Sequence, residues 1–274
     1  MNAKASACSR EENSMNRPKV VVYGGVSLDG RLTTAPGVLL MFGDKRWTAI
    51  AGSDEEISKW LRDTHKPQAY LEGSGSLVTE DEKPKPMPAF KGNPKTLYRD
   101  FLPDSVVKRA GHRGWFTMVD SRGRIRWGFK EWPSEEWKGW HLIVIVANQT
   151  PCEYLAYLQR ENIPYLIAGE DRVDLKLAME KMKSLLGVKS IISTSPGKLG
   201  GALLRAGLID EVNILLLPAL IGGFETPTLF ESPELKPNQW PTQLELIWTR
   251  VQSDGRLWLR YKVAKKQKKS SKGP

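Results

Sequence analysis

Residues 193–223 read STSPGKLGGALLRAGLIDEVNILLLPALIGG, and their pattern is typical of a parallel α/β sheet. A turn rich in serine, proline and glycine leads into a helical pattern at residues 199–206. The apolar run at residues 211–218 then predicts a buried strand, which a glycine pair ends. A strand that is followed by a helix and then by another strand is the repeating unit of a parallel α/β sheet.

Strands and helices alternate in the same way through the rest of the chain. Short β-branched or apolar runs predict strands at residues 18–26, 68–72, 142–147, 163–168 and 188–193. Apolar stripes at helical spacing predict helices at residues 54–64, 151–161 and 175–186. Asp54 is the predicted N-cap of the first of these helices. The turn GSGS at residues 73–76 is expected to open a further helix.

Two pairs of strands are predicted to form hairpins. They are residues 115–119 with 124–129, across the turn DSRG, and residues 244–251 with 256–263, across the turn SDG. Trp132, Trp137 and Trp140 are expected in a loop. Together these patterns predict an α/β fold of three layers, in which a mostly parallel central sheet carries an antiparallel C-terminal hairpin.

The composition is that of a globular protein without a membrane span. Apolar residues make up 40% and charged residues 26% of the 274 residues, which is close to the globular average. No apolar run reaches the ~18 residues of a membrane helix, and no signal peptide is expected at the polar N-terminus. The two cysteines, Cys8 and Cys152, do not suggest a disulfide framework, so we expect a cytoplasmic protein.

Basic residues concentrate at the C-terminus. The net charge is +10, and residues 265–274 contain five lysines and no acid. Such a run is typically a solvated tail, and nonspecific contact with nucleic acid is the less favoured interpretation. The folded part is only mildly basic, which would suit a ligand that bears phosphate.

The turn before the predicted helix at residues 199–206 has the features of a phosphate site. N–H groups at a helix start point outward and carry the positive end of the helix dipole. Glycine lets a phosphate approach the backbone closely, and serine, threonine and lysine side chains add donors. An ordinary strand-to-helix turn is the alternative. The turn at residues 73–76 is a weaker candidate because it lacks the third glycine of a dinucleotide fingerprint.

Three segments in this order resemble one known family. They are VSLDGRLTT at residues 26–34, AYLEGSGSLVTED at residues 69–81, and the stretch at residues 193–223. Their combination is similar to the reductase domain of the riboflavin-biosynthesis deaminase-reductase, a family with the dihydrofolate reductase fold. The resemblance spans residues 18–263. It implies a single reductase domain at residues 18–264 with an insert near residues 83–140, a flexible N-terminal tail (1–17) and a basic C-terminal tail (265–274).

No metal site is expected. The zinc signature of the family's deaminase half, His-x-Glu followed by Pro-Cys-x-x-Cys, is missing from the sequence. The three histidines, His65, His112 and His141, are also not spaced as metal ligands.

The resemblance implies NADPH as the cofactor. The residues expected to hold it form the turn and the helix start: Thr194, Ser195, Gly197, Lys198, Leu199, Gly200, Gly201 and Ala202. Supporting contacts are expected from Trp47, Ser76, Glu80 and Ser121. Arg122 or Arg124 could bind a 2′-phosphate and so favour NADPH over NADH, although a solvated hairpin is the alternative for both.

The family's substrate is a ribosylamino-pyrimidine phosphate, whose C1′ carbon accepts a hydride. Asp29 is the predicted catalytic and substrate-binding residue, because a carboxylate at a strand end can bind amine and ring N–H groups or assist proton transfer. The resemblance places Arg62 near the substrate, and its guanidinium could clamp a phosphate, so Arg62 is the second substrate candidate. A turn-forming Asp-Gly pair and a surface charge are the respective alternatives, and Trp47 could be plain core.

One departure from the family pattern bears on the substrate. The family has a Glu-Gly-Gly run ahead of the dinucleotide turn, and its glutamate contacts the substrate. Thr194, Ser195 and Pro196 stand there in this chain. A reductase of the same fold that acts on a pterin, a folate or another imine is therefore an alternative. The insert, rich in tryptophan and basic residues, is expected to be a packing layer rather than a new site.

A nonenzymatic scaffold or nucleic-acid-binding protein is the alternative from another class. Its basis would be the lysine tail and the tryptophan-rich insert. A homodimer is expected from the resemblance, since family members commonly pair through sheet edges, and no membrane partner is expected.

Overall fold

The computed structural model describes residues 16–131 and 135–264, which form one sheet with helices on both faces. The strands are β1 (Lys19–Ser27), β2 (Ala69–Gly73), β3 (Gly114–Val119), β4 (Trp140–Val146), β5 (Tyr165–Ile167), β6 (Ser190–Ser193), β7 (Glu211–Leu217), β8 (Leu244–Val251) and β9 (Leu257–Val263). The α-helices are α1 (Lys45–Ala51), α2 (Glu55–His65), α3 (Asp104–Val107), α4 (Cys152–Arg160), α5 (Leu175–Leu186) and α6 (Gly197–Ala206).

Strand direction divides the sheet into two parts. The strands stand in the order β5-β4-β3-β2-β6-β1-β7-β9-β8. From β5 to β7 every neighbouring pair is parallel. β9 runs antiparallel to β7, and β8 runs antiparallel to β9. The predicted parallel sheet with an antiparallel C-terminal hairpin is thereby confirmed.

Two apolar cores, one on each face of the sheet, make the fold three layers deep. On one face, Val21 and Tyr23 of β1 belong to a core that α2 and α4 complete. On the other face, Val20 and Val22 belong to a core that α5 and α6 complete. Successive residues of a strand point to opposite faces. Because helices cover both faces, the parallel strands are apolar almost throughout.

Aspartate side chains cap the starts of α1 and α5, but not that of α2. Asp174 caps α5, because its carboxylate accepts hydrogen bonds from two N–H groups of the first turn. Asp54 does not cap α2 as predicted. Its carboxylate accepts a hydrogen bond from the Tyr23 hydroxyl instead, at 3.1 Å. Glu55 and Glu56 place negative charge on the first turn of α2, which the helix dipole favours.

The predicted hairpin at residues 115–129 is wrong. Its first half is β3, which pairs in parallel with β2 and β4. Its second half, residues 124–129, lies outside the sheet. Asp120 is fully buried and accepts a hydrogen bond from the Ile125 N–H at 3.0 Å. This bond folds the chain into a local turn, so the two segments do not pair.

Other predictions differ in detail. Trp140 begins β4 instead of lying in a loop, and Trp137 ends a 3₁₀ turn, while Trp132 is outside the described residues. Ser74–Ser76 is a single 3₁₀ turn rather than the start of a longer helix. The remaining predicted strands and helices are confirmed, with small shifts at their ends.

Most residues of both predicted tails lie outside the described part of the chain. Arg17, which ends the predicted N-terminal tail, donates two hydrogen bonds to the Asp210 carboxylate, at 2.7 and 2.8 Å. The predicted insert contributes β3 to the sheet. Among the described helices, none has the length and apolar character needed to cross a bilayer.

The strand order places the expected ligand-binding crevice at the carboxyl ends of β2 and β6. The chain leaves β2 toward β3 on one side and leaves β6 toward β7 on the other. Where successive connections depart in opposite directions, a parallel sheet has a ligand-binding crevice at its carboxyl edge. The two glycine-containing turns of the sequence follow these two strands.

Candidate active site

The turn after β2 and the start of α6 line the crevice and approach each other closely. At Gly73 a Cβ would lie 3.4 Å from the Leu199 Cβ and 3.5 Å from the Ser195 Oγ. At Gly24 of β1 a Cβ would lie 2.9 Å from the Pro196 Cγ. Glycine at both positions therefore lets the link between β6 and α6 lie directly against the neighbouring strands.

Two backbone N–H groups remain open at the start of α6. The Gly197 N–H donates to the Leu229 carbonyl at 2.8 Å. Within the described part of the chain, no acceptor takes the N–H groups of Lys198 and Leu199. Unpaired N–H groups at the positive end of a helix dipole favour an anion.

Four polar side chains meet beside these N–H groups. The Ser76 hydroxyl donates to the Glu72 Oε2 at 2.9 Å and lies 3.2 Å from the Ser195 hydroxyl. The Thr194 hydroxyl donates to the other carboxyl oxygen of Glu72. The structure thus brings together three predicted cofactor residues, Ser76, Thr194 and Ser195, around one carboxyl group.

Glu72 is almost fully enclosed, with 5% of its surface exposed. Burial raises the pKa of its carboxyl group, because an enclosed charge loses its hydration. Hydrogen bonds from Thr194, Ser76 and Ser195 act in the opposite direction but do not cancel the effect. The site therefore favours the neutral acid, which can donate one hydrogen bond as well as accept others.

An ionic cluster borders the crevice on the solvent side. The Lys198 Nζ lies 2.8 Å and the Arg122 guanidinium 3.1 Å from the Glu80 carboxylate. All three side chains are more than half exposed, so these pairs are weak and can rearrange around a ligand. Arg124 is buried and donates to the Thr79 carbonyl at 2.6 Å. Of the two predicted arginines, only Arg122 is therefore accessible.

Residues 228–232 cover one side of α6. They lie against three predicted cofactor glycines: Gly197, Gly200 and Gly201. At Gly201 a Cβ would lie only 1.9 Å from the Glu231 carbonyl oxygen. Ala202 is exposed one turn inside the helix. Four residues of the predicted set on this loop and helix remain as cofactor candidates. Thr194 and Ser195 contact β2 and the turn after it, and Lys198 and Leu199 leave their N–H groups open.

Asp29 follows β1 and holds a neighbouring loop. Its carboxylate accepts hydrogen bonds from the Ser27 hydroxyl at 2.6 Å and from the N–H groups of Ile221 and Gly222 at 3.1 and 2.7 Å. The bond from Ser27 contributes most to a pKa of about 2 for Asp29. Asp29 is therefore an anion at neutral pH. It can hold a hydrogen-bond donor but is a poor proton donor.

Trp47 and Ser121 lie at the same edge of the sheet but outside the polar cluster. Trp47 is on α1, and its ring would lie 3.9 Å from a Cβ on Gly25, near the end of β1. Ser121 follows β3, and its hydroxyl accepts a hydrogen bond from the Val173 N–H at 3.1 Å. The two residues lie on opposite sides of the crevice, because β1 and β3 flank the pair β6 and β2.

Arg62 lies away from the crevice. It is on α2, and its guanidinium lies 2.5 Å from the Glu136 carboxylate. It also interacts with the hydroxyl of Tyr70, near the amino end of β2. Among the described residues, these contacts do not include any of the cofactor candidates. The structure does not bring Arg62 together with the other predicted site residues.

Comparison with known proteins shows the family. The RibD C-terminal domain family matches residues 18–257, which is most of the chain. The chain belongs to the RibD C-terminal domain family. It is 25% identical over 232 residues to a 2,5-diamino-6-ribosylamino-4(3H)-pyrimidinone 5′-phosphate reductase from Methanothermobacter thermautotrophicus, covering 84% of this chain and 91% of that protein. A reductase of the same name from Aquifex aeolicus is 24% identical over 217 residues, covering 78% and 83%.

A solved structure shows the same fold. A pyrimidine reductase-like protein from Corynebacterium diphtheriae superposes with a TM-score of 0.60 at 16% identity, covering 92% of this chain and 94% of that one. The predicted family and the dihydrofolate-reductase-like fold are confirmed. As a RibD C-terminal domain related to named reductases, the chain is an oxidoreductase of the riboflavin-biosynthesis type.

This RibD C-terminal domain carries a buried carboxyl group that the sequence analysis missed. Thr194 stands where the family resemblance leads one to expect a glutamate. Glu72, on the neighbouring strand β2, nevertheless brings a carboxyl group to this position, where it accepts a hydrogen bond from the Thr194 hydroxyl. The available signal was one acidic residue near the end of the otherwise apolar strand AYLEG. A carboxyl group is costly in such a place unless it is hydrogen-bonded or neutral.

The RibD-type crevice fits a dinucleotide in its chemistry. It offers open N–H groups, hydroxyls, an ammonium and a guanidinium, which are the groups that bind phosphate. No side chain can supply a hydride, so a reductase requires a hydride-carrying cofactor, and membership of this reductase family implies a nicotinamide. Within residues 16–131 and 135–264, no three His, Cys, Asp or Glu side chains converge as metal ligands.

Proposed function

We propose that this chain is an NADPH-dependent reductase of a ribosylamino-pyrimidine 5′-phosphate in riboflavin biosynthesis. The observation that carries the proposal is the open pair of N–H groups on Lys198 and Leu199, set beside three hydroxyls at the crevice. The names of the relatives from Methanothermobacter and Aquifex supply the substrate class.

The residues at the carboxyl edge of the sheet suggest how the parts of the cofactor lie across the strands. Arg122, after β3, would meet the phosphate on the adenosine ribose, and the start of α6 would hold the diphosphate. Asp29, which follows β1, and Trp47, whose ring lies near Gly25 of that strand, would then lie at the nicotinamide and substrate side. Bound there, the reduced nicotinamide would supply a hydride to C1′ of the substrate. The protein's part is to hold the two reactants in register.

Asp29 is proposed to bind the substrate as an anion. Its pKa of about 2 keeps it charged, so it can accept a hydrogen bond from an amine or ring N–H group. The nitrogen that becomes an amine on reduction requires a proton from another source, and water can serve. Arg62 has no place in this arrangement, because it pairs with Glu136 away from the crevice.

The test is an assay of NADPH oxidation with purified protein. Turnover is expected with the ribosylamino-pyrimidine phosphate and not with dihydrofolate. NADPH at a hundredfold excess over its dissociation constant should also stabilise the protein by about 2.7 kcal/mol.

A second candidate, a reductase of another imine, is favoured by the threonine at position 194. Turnover of dihydrofolate or another imine in place of the pyrimidine would support that candidate.

NADPH rather than NADH is the proposed cofactor, and Arg122 is the proposed reason. Arg122→Ala should weaken NADPH binding by about tenfold and leave NADH binding unchanged, because one charge-assisted hydrogen bond to the 2′-phosphate is lost. The preference should shrink at high salt, since Arg122 is exposed. Arg160→Ala, at a surface arginine on α4 that lies beside Glu161, is the matched control. An equal loss for both cofactors would contradict this role.

We also propose that two copies pair through the open edge of the sheet. β8 is the last strand, and its side chains Leu244, Leu246, Ile247 and Val251 are 40–74% exposed. An exposed apolar edge strand invites a partner. Light scattering should then give twice the chain mass of 30.8 kDa, and a single chain mass would exclude the pairing.

A cytoplasmic location is proposed as well. Cys152, the described cysteine, is a free thiol, which suits a reducing compartment.

A further inference from the structure

Glu72 is a buried acid without a positive partner. Among the described residues, no lysine, arginine or histidine lies within ion-pair distance of its carboxyl group. Its contacts are hydroxyls: Ser76 on the turn after β2, and Thr194 and Ser195 on the link into α6. Glu211, the other buried glutamate of the described sheet, is surrounded by cations instead. Glu72 therefore has surroundings that suit a neutral acid.

The strands beside Glu72 add no compensating charge. On β3, Met118 is its register partner. On the other side, β6 ends at Ser193, the register partner of Leu71, and Thr194 follows directly. On β1, Tyr23 follows Val22, the register partner of Ser193, and donates its hydroxyl hydrogen to Asp54.

The cations nearest to the crevice are engaged elsewhere. Lys198 extends from α6 to Glu80 on the solvent side. Arg124 donates to Ser74 and to the Thr79 carbonyl, within the turn that follows β2. Among the described residues, a negative charge on Glu72 would therefore have no cation beside it.

The hydroxyls that hold Glu72 are the same ones that border the open N–H groups of α6. When Glu72 is ionised, Thr194 and Ser76 must both point their hydrogens at it. When it is neutral, its own proton satisfies one of these hydroxyls, whose hydrogen can then turn toward a ligand. An ionised Glu72 also repels a diphosphate at the start of α6, and the enclosed setting strengthens that repulsion.

We propose that Glu72 is a positioning residue that must carry a proton when a dinucleotide's diphosphate lies at the start of α6, so that cofactor binding takes up a proton there. This inference rests on the proposed function, because it needs a dinucleotide at that place. It goes further by making the affinity for the cofactor depend on one buried acid.

The sign of the pH effect follows from burial. Burial raises the pKa of Glu72 in the free protein, and an adjacent anion raises it further. Affinity should be at its maximum below the pKa of the free protein and should fall as pH rises through and above it. With one proton taken up, the dissociation constant increases by about tenfold for each pH unit above that pKa.

The experiment measures NADPH dissociation constants by titration calorimetry from about pH 5 to about pH 9, for the wild type, Glu72→Gln and Glu245→Gln. Glutamine copies the shape of the neutral acid but cannot ionise. The ratio of the wild-type constant to that of Glu72→Gln should be near one at low pH and rise by about tenfold per unit above the pKa of Glu72. Glu245→Gln, at an exposed carboxylate on β8, should follow the wild type. The 2′-phosphate of NADPH titrates in all three proteins, so it cancels in the ratios.

A second readout keeps the inference testable if Glu72→Gln folds poorly. Calorimetry of the wild type in buffers of different ionisation enthalpy counts the protons taken up, and about one should enter with each NADPH above the pKa of Glu72. No uptake, or one pH profile for wild type and Glu72→Gln, would overturn the inference while leaving the proposed function in place. Failure of the wild type to bind NADPH at every pH would instead overturn the proposed function.

Discussion

Replacing Gly201 by alanine is expected to lower the free energy of unfolding by about 3 kcal/mol, the upper part of the range for overpacking in a closed site. The added Cβ would lie 1.9 Å from the Glu231 carbonyl oxygen and 2.4 Å from its carbonyl carbon. The clash is with backbone, so no side chain can turn away to relieve it. For a chain of this size the melting temperature should fall by about 6–12 °C.

The matched control is Gly128→Ala. A Cβ at Gly128 would meet nothing within 4 Å, and neither Gly128 nor Gly201 has a positive φ. The control should therefore change the unfolding free energy by less than about 0.5 kcal/mol. Denaturant unfolding of both variants makes the comparison, and equal stabilities would show that residues 228–232 do not press on α6. Because this segment also bonds Gly197, NADPH affinity should fall together with stability in Gly201→Ala.

Gly201 also shows why the site could be predicted only in part. The run GKLGGA predicted glycines that face a phosphate. The structure places Gly200 and Gly201 against residues 228–232, so their lack of a side chain serves packing within the protein. Which distant segment covers a helix face is decided by the tertiary fold, and no local pattern in the helix reveals it.

Most of the fold could be predicted because apolar periodicity is a local property. The parallel strands and the flanking helices have clear patterns, and they were confirmed. The false hairpin at residues 115–129 arose because turn residues between two apolar segments look the same whether or not the segments pair. β3 pairs with β2 and β4, which are distant in sequence, and the turn alone could not show this.

The site residues divide along the same line. Four predicted residues follow strand ends, where ligands bind in parallel sheets. The structure brings Ser76 to Ser195 and Lys198 to Glu80. Arg62 was predicted from its family position and its charge on a predicted helix, but α2 places it in another part of the fold, where it pairs with Glu136. Glu72 was hidden inside an apolar strand, because burial and partners become visible only when β2 and β6 are placed side by side.

A second large effect is expected at Glu211, at the opposite edge of the sheet. Its side chain is 4% exposed, and its carboxylate lies 2.9 Å from the Lys19 Nζ and 2.7 Å from the Arg260 Nε. His65 also approaches it, at 3.1 Å. Glu211→Ala leaves these groups without their common partner. The free energy of unfolding should therefore fall by about 3–5 kcal/mol, the range for a broken buried ion pair.

The pKa of Glu211 is shifted in the opposite direction to that of Glu72, and the expected consequence is a dependence of stability on pH. Burial alone would raise the pKa of Glu211, but hydrogen bonds from His65, Arg260 and Lys19 outweigh it and hold the pKa well below its usual range. A group with a lowered folded-state pKa contributes stability above its unfolded pKa of about 4.3 and loses it as pH falls further. The wild type should therefore lose stability in acid more steeply than Glu211→Gln, which cannot titrate. Urea unfolding between about pH 3 and about pH 7 measures this difference, and parallel curves for the two proteins would show that Glu211 is not the charge that secures this edge of the sheet.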